Sequence, residues 1–288
     1  MTTAAPEIDI AHLREWVGRR QEVEQRIDPF PARALAGLLD RAEAPAVGDA
    51  LPLPWHWLYF LETPARAAVG VDGHPARGGF LPPVPLPRRM WASGEIEVEA
   101  PLRIGDDARK VSTVQSVELK QGQSGPLVFV TVEHLLSQQG RTCLRELQHI
   151  VYREAPTSAA PLPPVTPAKD TATWRSDWKA DPATLFRYSA LTYNGHRIHY
   201  DRDHATQQEH YPALVVHGPL LATLLLDLVQ REVPASRIAH FEFRALRPAF
   251  DTNALTLNGA PTEEGRGARL WTADSHDALG MRANVSWA

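Results

Sequence analysis

What this chain of 288 residues has little of narrows its chemistry quickly. Cys143 is its only cysteine, which excludes an internal disulfide and every multi-cysteine metal or redox motif. Basic residues are in no excess: 30 Lys and Arg stand against 34 Asp and Glu, a formal charge of −4. Nucleic acid is therefore not an expected partner. Long hydrophobic runs are missing too. The longest, Leu214–Val229, is broken by His217, Gly218, Pro219 and Asp227; it is too short to span a bilayer and is expected to be a core helix, so no membrane partner is expected. The opening MTTAAPEIDIAHLREW has no basic segment followed by an apolar one, so no secretory signal is read there and a cytoplasmic location is expected. There is no Gly-rich phosphate loop, no dinucleotide fingerprint, and no Ser or Cys in a nucleophile motif, which argues against nucleotide chemistry and covalent catalysis.

What is present is a soluble globular composition, 43% apolar and 22% charged, long enough for two cores. The apolar spacing predicts a surface helix over Ala11–Ile27 and a second over Ala32–Asp40 led by Pro31. The Pro-, Gly- and aromatic-rich stretch up to Trp91 fits no regular element. From Gly94 the pattern turns to strands, with Ile96 and Val98 alternating with glutamates, then Lys110–Lys120, Pro126–Leu135 and Arg141–Tyr152. Residues 155–172 hold five prolines and read as a stiff linker between an N-terminal repeat, 1–154, and a C-terminal repeat, 173–288. The second repeat shows strands at Ile238–Phe250, Ala254–Ala260, Ala268–Asp274 and Leu279–Trp287, and it alone carries the long apolar helix, Pro219–Glu232. A helix so apolar has to be covered on most faces. The expected fold is α+β, a double hot-dog of two antiparallel sheets with that helix as the filling of the second.

Five of the twelve histidines fall between His196 and His217, directly before that helix. Gly218-Pro219 opens it: Pro loses no hydrogen bond at a first turn, Gly lets a ligand approach the backbone, and the free N–H groups with the dipole would stabilise a carbonyl oxygen gaining negative charge. An ordinary helix entry would look the same. Asn194 and His199 are a second element, an imidazole suited to proton exchange with an amide that could orient it or a water; a plain NGH turn is the competing reading. His196, His199, Asp201, Asp203 and His204 offer metal-type donors, but at no metalloenzyme spacing and with Arg197 and Arg202 among them, so no metal is expected.

RYSALTYNGHRIHYDRDHA followed by YPALVVHGPLLATLLLDL resembles the type 2 hydroxyacyl-thioester dehydratases, a branch of the MaoC-like (R-specific) enoyl-CoA hydratase superfamily. VDGHPARGGFLPPVPLPRRMWASGEIEVEAPLRIGD is similar to the companion fatty-acid-synthase-type dehydratase N-terminal domain. Within the branch the resemblance is nearest to bacterial mesaconyl-C4-CoA (3-methylfumaryl-CoA) hydratases, with itaconyl-CoA hydratases as relatives; both make citramalyl-CoA. The resemblance implies an N-terminal repeat that has lost its catalytic motif and helps hold the acyl-CoA. The superfamily's G-D-x-N-P-x-H places its histidine on His199, its aspartate on Asn194, its Asn and Pro on His196 and Arg197, and its Gly on Tyr193. Asn194 thus stands where an aspartate is the rule, and Asn cannot accept a proton. What the resemblance implies for roles is Asn194 and His199 as the chemical pair and Gly218 as the carbonyl anchor, with His217 and His196 lining the site. A second carboxylate on the substrate would need a cation, for which Arg197 in the motif loop and Arg88 and Arg89 in the N-terminal signature are the candidates, with Arg89 and Arg197 the ones to reverse in charge. His204 and His210 are expected to be structural. No metal or redox cofactor is required; the partner is an acyl-CoA thioester, and a homodimer is expected from pairing of hot-dog edges. Two other readings stay open: a dehydratase or hydratase of ordinary fatty acyl thioesters, and a silent acyl-thioester-binding protein.

Overall fold

The computed structural model describes residues 8–122, 125–155 and 164–288. Its strands are β1 (Arg20–Arg26), β2 (Arg88–Val98), β3 (Asp107–Gly122), β4 (Gly125–Gln138), β5 (Arg141–Arg153), β6 (Trp174–Lys179), β7 (Ile238–Ala245), β8 (Ala254–Pro261), β9 (Gly267–Asp274) and β10 (Leu279–Trp287). The helices are α1 (Ile10–Arg14), α2 (Pro29–Leu38), α3 (Pro182–Leu191) and α4 (Gly218–Glu232). All ten strands form one antiparallel sheet in the order β1-β3-β4-β5-β2-β7-β10-β9-β8-β6.

The two sheets expected from the sequence are therefore joined into one. The seam is β2 against β7, where Gly94 faces Phe243 and Ile96 faces Phe241. Gly94 is needed there, because a Cβ would come within 2.7 Å of the Phe243 ring. The edge pairing that suggested a homodimer is met inside the chain. The outer edges left over, β1 (RQEVEQR) and β6 (WRSDWK), are short and carry charges, a pattern that discourages strand addition.

α4 behaves as its apolarity demands: every residue from Leu220 to Val229 is buried, and the helix packs on β8, β9, β10 and β6. One continuous core joins α4 to Phe241 and Phe243 on the seam and to Leu35, Trp55 and Leu58 from the first half. Burying so many Leu side chains, at about 1.5–3 kcal/mol each, fixes where the start of α4 lies.

Several expectations are corrected. Ala11–Ile27 is not one helix: α1 ends early, Gly18 adopts φ +84, and the charged run after it pairs with β3 as β1. Gly pays no steric penalty in that left-handed region, so it stops the helix cheaply. β2 begins at Arg88, not Gly94, because a bulge between Trp91 and Ser93 interrupts its alternation. The second half opens on strand β6 and α3, which carries its own start signal: Asp181 caps Thr184 N–H at 2.9 Å with Pro182 at the first turn. α2 likewise begins at Pro29, capped by Asp28, earlier than Ala32. The expected linker, 155–172, lies partly outside the described residues; beyond the gap Pro167 bridges to Ala278. No helix among the described residues is long and apolar enough to cross a membrane.

Candidate active site

α3 delivers the motif loop. Its end is closed by Asn194 N–H donating to Ser189 O at 2.9 Å, and Asn194 Oδ1 accepts from His196 N–H at 3.0 Å. This local turn brings Arg197–His199 round as a single 3-10 turn that buries His199. His199 Nδ1 lies 2.7 Å from Val215 O. A carbonyl only accepts, so Nδ1 carries the proton and Nε2 keeps a lone pair. Burial lowers the imidazole to about 4, with the charge of His74 adding to the fall and the Val215 bond opposing it. Near neutral pH, His199 is thus an uncharged base in a fixed tautomer.

Beside it α4 begins. His217 stands at the N-cap position and makes no capping bond with its side chain. Its ring instead stacks on His199, centroids 3.7 Å apart at 19°, and its Nε2 meets Ser189 Oγ at 2.8 Å. His217 is lowered well below the ordinary histidine range by burial first, then by His199 and His196. The position a Gly218 Cβ would occupy has nothing within 4 Å. An open, positively polarised helix start therefore follows directly on the His217 ring that stacks on the neutral base.

The N-terminal half closes the site. Gly73 adopts φ +89, and a Cβ there would fall 1.8 Å from Gly195 O. That fit lets residues 71–74 lie directly on the motif loop: Arg197 N–H donates to Asp72 O at 2.9 Å and Arg197 Nη1 to Val71 O at 3.0 Å. His74 then reaches His196, ring centres 4.0 Å apart, and His196 is set edge-on to His199 at 5.4 Å. Asp72 Oδ2 is 3.0 Å from His74 Nδ1. Burial works to raise the Asp72 carboxyl, but the bond and charge of His74 outweigh it and hold it below the usual carboxylate range. Burial lowers His74 despite Asp72, and lowers His196 further. Arg89, on β2 opposite Tyr152, forms no ion pair among the described residues, and its charge bears on both His74 and His196.

Asn194, His196, His199, His217 and Gly218 are accordingly brought together. Arg197 is not free for a ligand: Nε and Nη2 donate to Asp201 Oδ2 at 3.0 and 2.7 Å, so it clamps its own loop. Arg88 is buried against Glu209, 2.6 Å away, with its guanidinium over Tyr211. The weighed metal donors of the loop do not converge, since Asp201 serves Arg197 and the His204 N–H. Asp72, His74 and His196 are the donors that do, within 4.8 Å; Asp72 and His74 are already bonded to each other, and the charge of Arg89 on both imidazoles opposes a cation there. His204 is buried with neither ring nitrogen bonded among the described residues. Asp72, His74 and Ser189 were not singled out from the sequence. The only mark of the first two is Asp-Gly-His within the Gly- and Pro-rich stretch, where Gly permits a tight turn.

Comparisons with known proteins identify the family. The family described as hydroxyacyl-thioester dehydratase type 2 matches residues 54–251, covering both the 71–74 loop and the start of α4. The chain belongs to that family. It is 44% identical over 250 residues to the mesaconyl-C(4)-CoA hydratase of Chloroflexus aurantiacus, covering 85% of this chain and 88% of that protein. Against the mitochondrial hydroxyacyl-thioester dehydratase type 2 of Schizosaccharomyces pombe the identity is 27%, over 70% of this chain and 75% of that one. Among solved structures, HtdX of Mycobacterium tuberculosis superposes with a TM-score of 0.65 at 16% identity, over 94% of this chain and all of that one. A MaoC-like dehydratase reaches 0.67 at 13% identity, over 94% and 98%. At such identities the structures speak for the fold alone, and the fold is the α+β hot-dog of this family.

Proposed function

We propose that the protein is a hydro-lyase that adds water across the double bond of an enoyl-CoA, with mesaconyl-C4-CoA or itaconyl-CoA as substrate and citramalyl-CoA as product. One observation carries the chemistry: a buried, neutral His199 with a bare Nε2 lies beside the open N-terminus of α4 at Gly218. The thioester oxygen takes its place at Gly218 N–H, where the helix dipole polarises the conjugated alkene. A water is held by Asn194 and His199; its oxygen adds to the β-carbon while Nε2 takes its proton, and the imidazolium or a relayed water returns a proton to the α-carbon. His217 and His196 wall the reacting atoms.

The dicarboxylic substrate rests on two supports, the identity to the Chloroflexus hydratase and Arg89. That guanidinium is half-buried beside His74 and His196 without a counter-ion among the described residues, and planar carboxylate recognition suits it. Residues 1–154 then serve mainly to hold the acyl-CoA and 173–288 to carry the base, in a cytoplasmic enzyme consistent with its lone, buried thiol.

Loss of enoyl-thioester absorbance tests the reading directly, on a panel of mesaconyl-C4-CoA, itaconyl-CoA, crotonyl-CoA and a long-chain enoyl-CoA. A silent binding protein leaves the absorbance intact on every member, which would sink the proposal; preference for the long chain would move the substrate to fatty acyl thioesters. Arg89→Glu should depress turnover of the dicarboxylic thioesters far more than that of crotonyl-CoA. Equal depression of both would remove Arg89 from carboxylate recognition.

A further inference from the structure

The four histidines of the site touch in series. Ring centres are 4.0 Å apart from His74 to His196, 5.4 Å from His196 to His199 and 3.7 Å from His199 to His217. One end of this ladder meets a neutral hydroxyl, Ser189 Oγ. The other end meets a carboxylate: Asp72 accepts from the His74 backbone N–H through Oδ1 and lies 3.0 Å from His74 Nδ1 through Oδ2. Inside the motif loop, position 194 offers only an amide, and its oxygen is already accepting from His196 N–H. An amide cannot balance a charge, and an imidazolium buried without a counter-charge is costly.

The hydration step creates such a charge. The water oxygen bonds to the β-carbon, its proton passes to His199 Nε2, and the alkene pair moves onto the thioester oxygen; collapse of that enolate then draws a proton to the α-carbon. Between the two proton transfers the ladder carries one extra positive charge and the enolate at the start of α4 one extra negative charge; both are cancelled only when the proton reaches the α-carbon. We propose that Asp72, holding His74, is the counter-charge for that state: a positioning pair supplied by the N-terminal half that does the electrostatic work of the carboxylate absent from position 194. The inference rests on the hydratase reading above. The charged and titratable groups bearing on His74 are Asp72, Arg89, Arg77, His196 and His199, so Asp72 is the one negative group among them. The Gly73–Gly195 contact ties the pair to the motif loop and not merely near it.

Asp72→Asn removes the charge while keeping an oxygen for the His74 N–H. In the full-length protein its kcat falls by about 10²-fold, at the lower end for a group assisting proton transfer, with KM little changed. The decisive variant is Asp72→Asn combined with Asn194→Asp, which relocates the carboxylate to the motif loop; it regains most of the lost rate, a rescue that a merely structural Asp72 would not allow. The wild type in the same assay judges the reading beneath: if it consumes no enoyl thioester, the hydratase reading fails, whereas the role of Asp72 fails only against an active wild type. Turnover by Asp72→Asn at the wild-type rate, or a double variant no faster than Asp72→Asn, would overturn the inference. Should Asp72→Asn melt below the assay temperature, nitrogen-15 shifts of the wild-type imidazoles decide instead. A proton held on His74 Nδ1 supports the pair, and one held on Nε2 refutes it.

Discussion

The two halves of the sheet use similar strands for opposite purposes. β6 and β8–β10 close on α4, a largely apolar helix whose buried polar side chains are Thr223 and Asp227 and whose start carries the chemistry. β2–β5 are longer, from 11 residues in β2 to 16 in β3, and the helix α2 of that half buries only Ala32, Leu35 and Ala36. The middle of that half is polar instead. Glu146 accepts from Trp57 Nε1 at 2.9 Å and meets His56 Nε2 at 2.9 Å, and His134 lies between Ser112 and Gln148. A cavity of about 210 Å³ opens there, lined among others by Lys110 and Trp91. Both halves thus bury histidines, but the C-terminal ones are held neutral around an open helix start, whereas His56 is matched to a carboxylate of its own. Buried imidazoles are informative about catalysis only together with what they are paired to.

The comparison breaks first at His199. His199→Ala should lower kcat by about 10²–10⁴-fold with the fold retained by circular dichroism; near-normal hydration would take the chemistry away from the C-terminal half. His56→Ala, a superficially similar change, should leave turnover per folded molecule intact. It strands Glu146, 4% exposed in its side chain, and should cost about 3–5 kcal/mol of stability in a denaturant titration. A catalytic defect there without loss of stability would make the N-terminal cavity part of the reaction.

How much of this was legible beforehand follows from the range of the contacts. α4 could be read from Pro219 to Glu232 because a long apolar run after Gly-Pro has few other solutions. The motif loop could be found because Asn194 to His199 is local. Asp72 and His74 could not: they lie more than a hundred residues away, and what fastens them is one glycine against another, Gly73 on Gly195, which leaves no periodicity. β1 was hidden because charged edge strands look like surface helices once apolar spacing is the only guide. The bulge at Trp91 hid the first half of β2, and with it the fact that Arg89 lies on a strand facing Tyr152.

The seam between halves offers an intermediate effect. Gly73→Ala forces a Cβ onto Gly195 O and an L-residue into φ +89; strain of that kind costs about 1–3 kcal/mol. The seam should open and activity fall with it, in a variant whose α4 core still melts cooperatively. An unchanged rate would show that residues 71–74 merely cover the site. Acid should act at a comparable scale. His199 is lowered from 6.5 to about 4 in the folded chain, so the unfolded state binds the extra proton first. Its contribution to stability is complete above about pH 6.5 and is lost as pH falls towards 4, on the order of 2 kcal/mol between pH 7 and 5. His74, His196 and His217 shift in the same direction. Denaturation midpoints that rise on acidification would contradict neutral burial of the ladder.

The smallest expected effect bears most directly on the difference between the halves. Asn194 accepts from His196 N–H through Oδ1, so Asn194→Ala removes one turn-forming bond, worth about 0.5–1.5 kcal/mol. Stability should fall by no more than that, because the bond from the Asn194 backbone to Ser189 O remains. The rate is the sharper readout. If Asp72 supplies the charge, Asn194→Ala should cost less in kcat than Asp72→Asn, since it removes an orienting amide and leaves the carboxylate in place. Should the order be reversed, with Asn194→Ala approaching the loss at His199, the hold of the amide on the reacting water would outweigh any charge supplied by Asp72. The chemistry would then belong to the C-terminal half alone, and the reach of Asp72 and His74 across the seam would be packing.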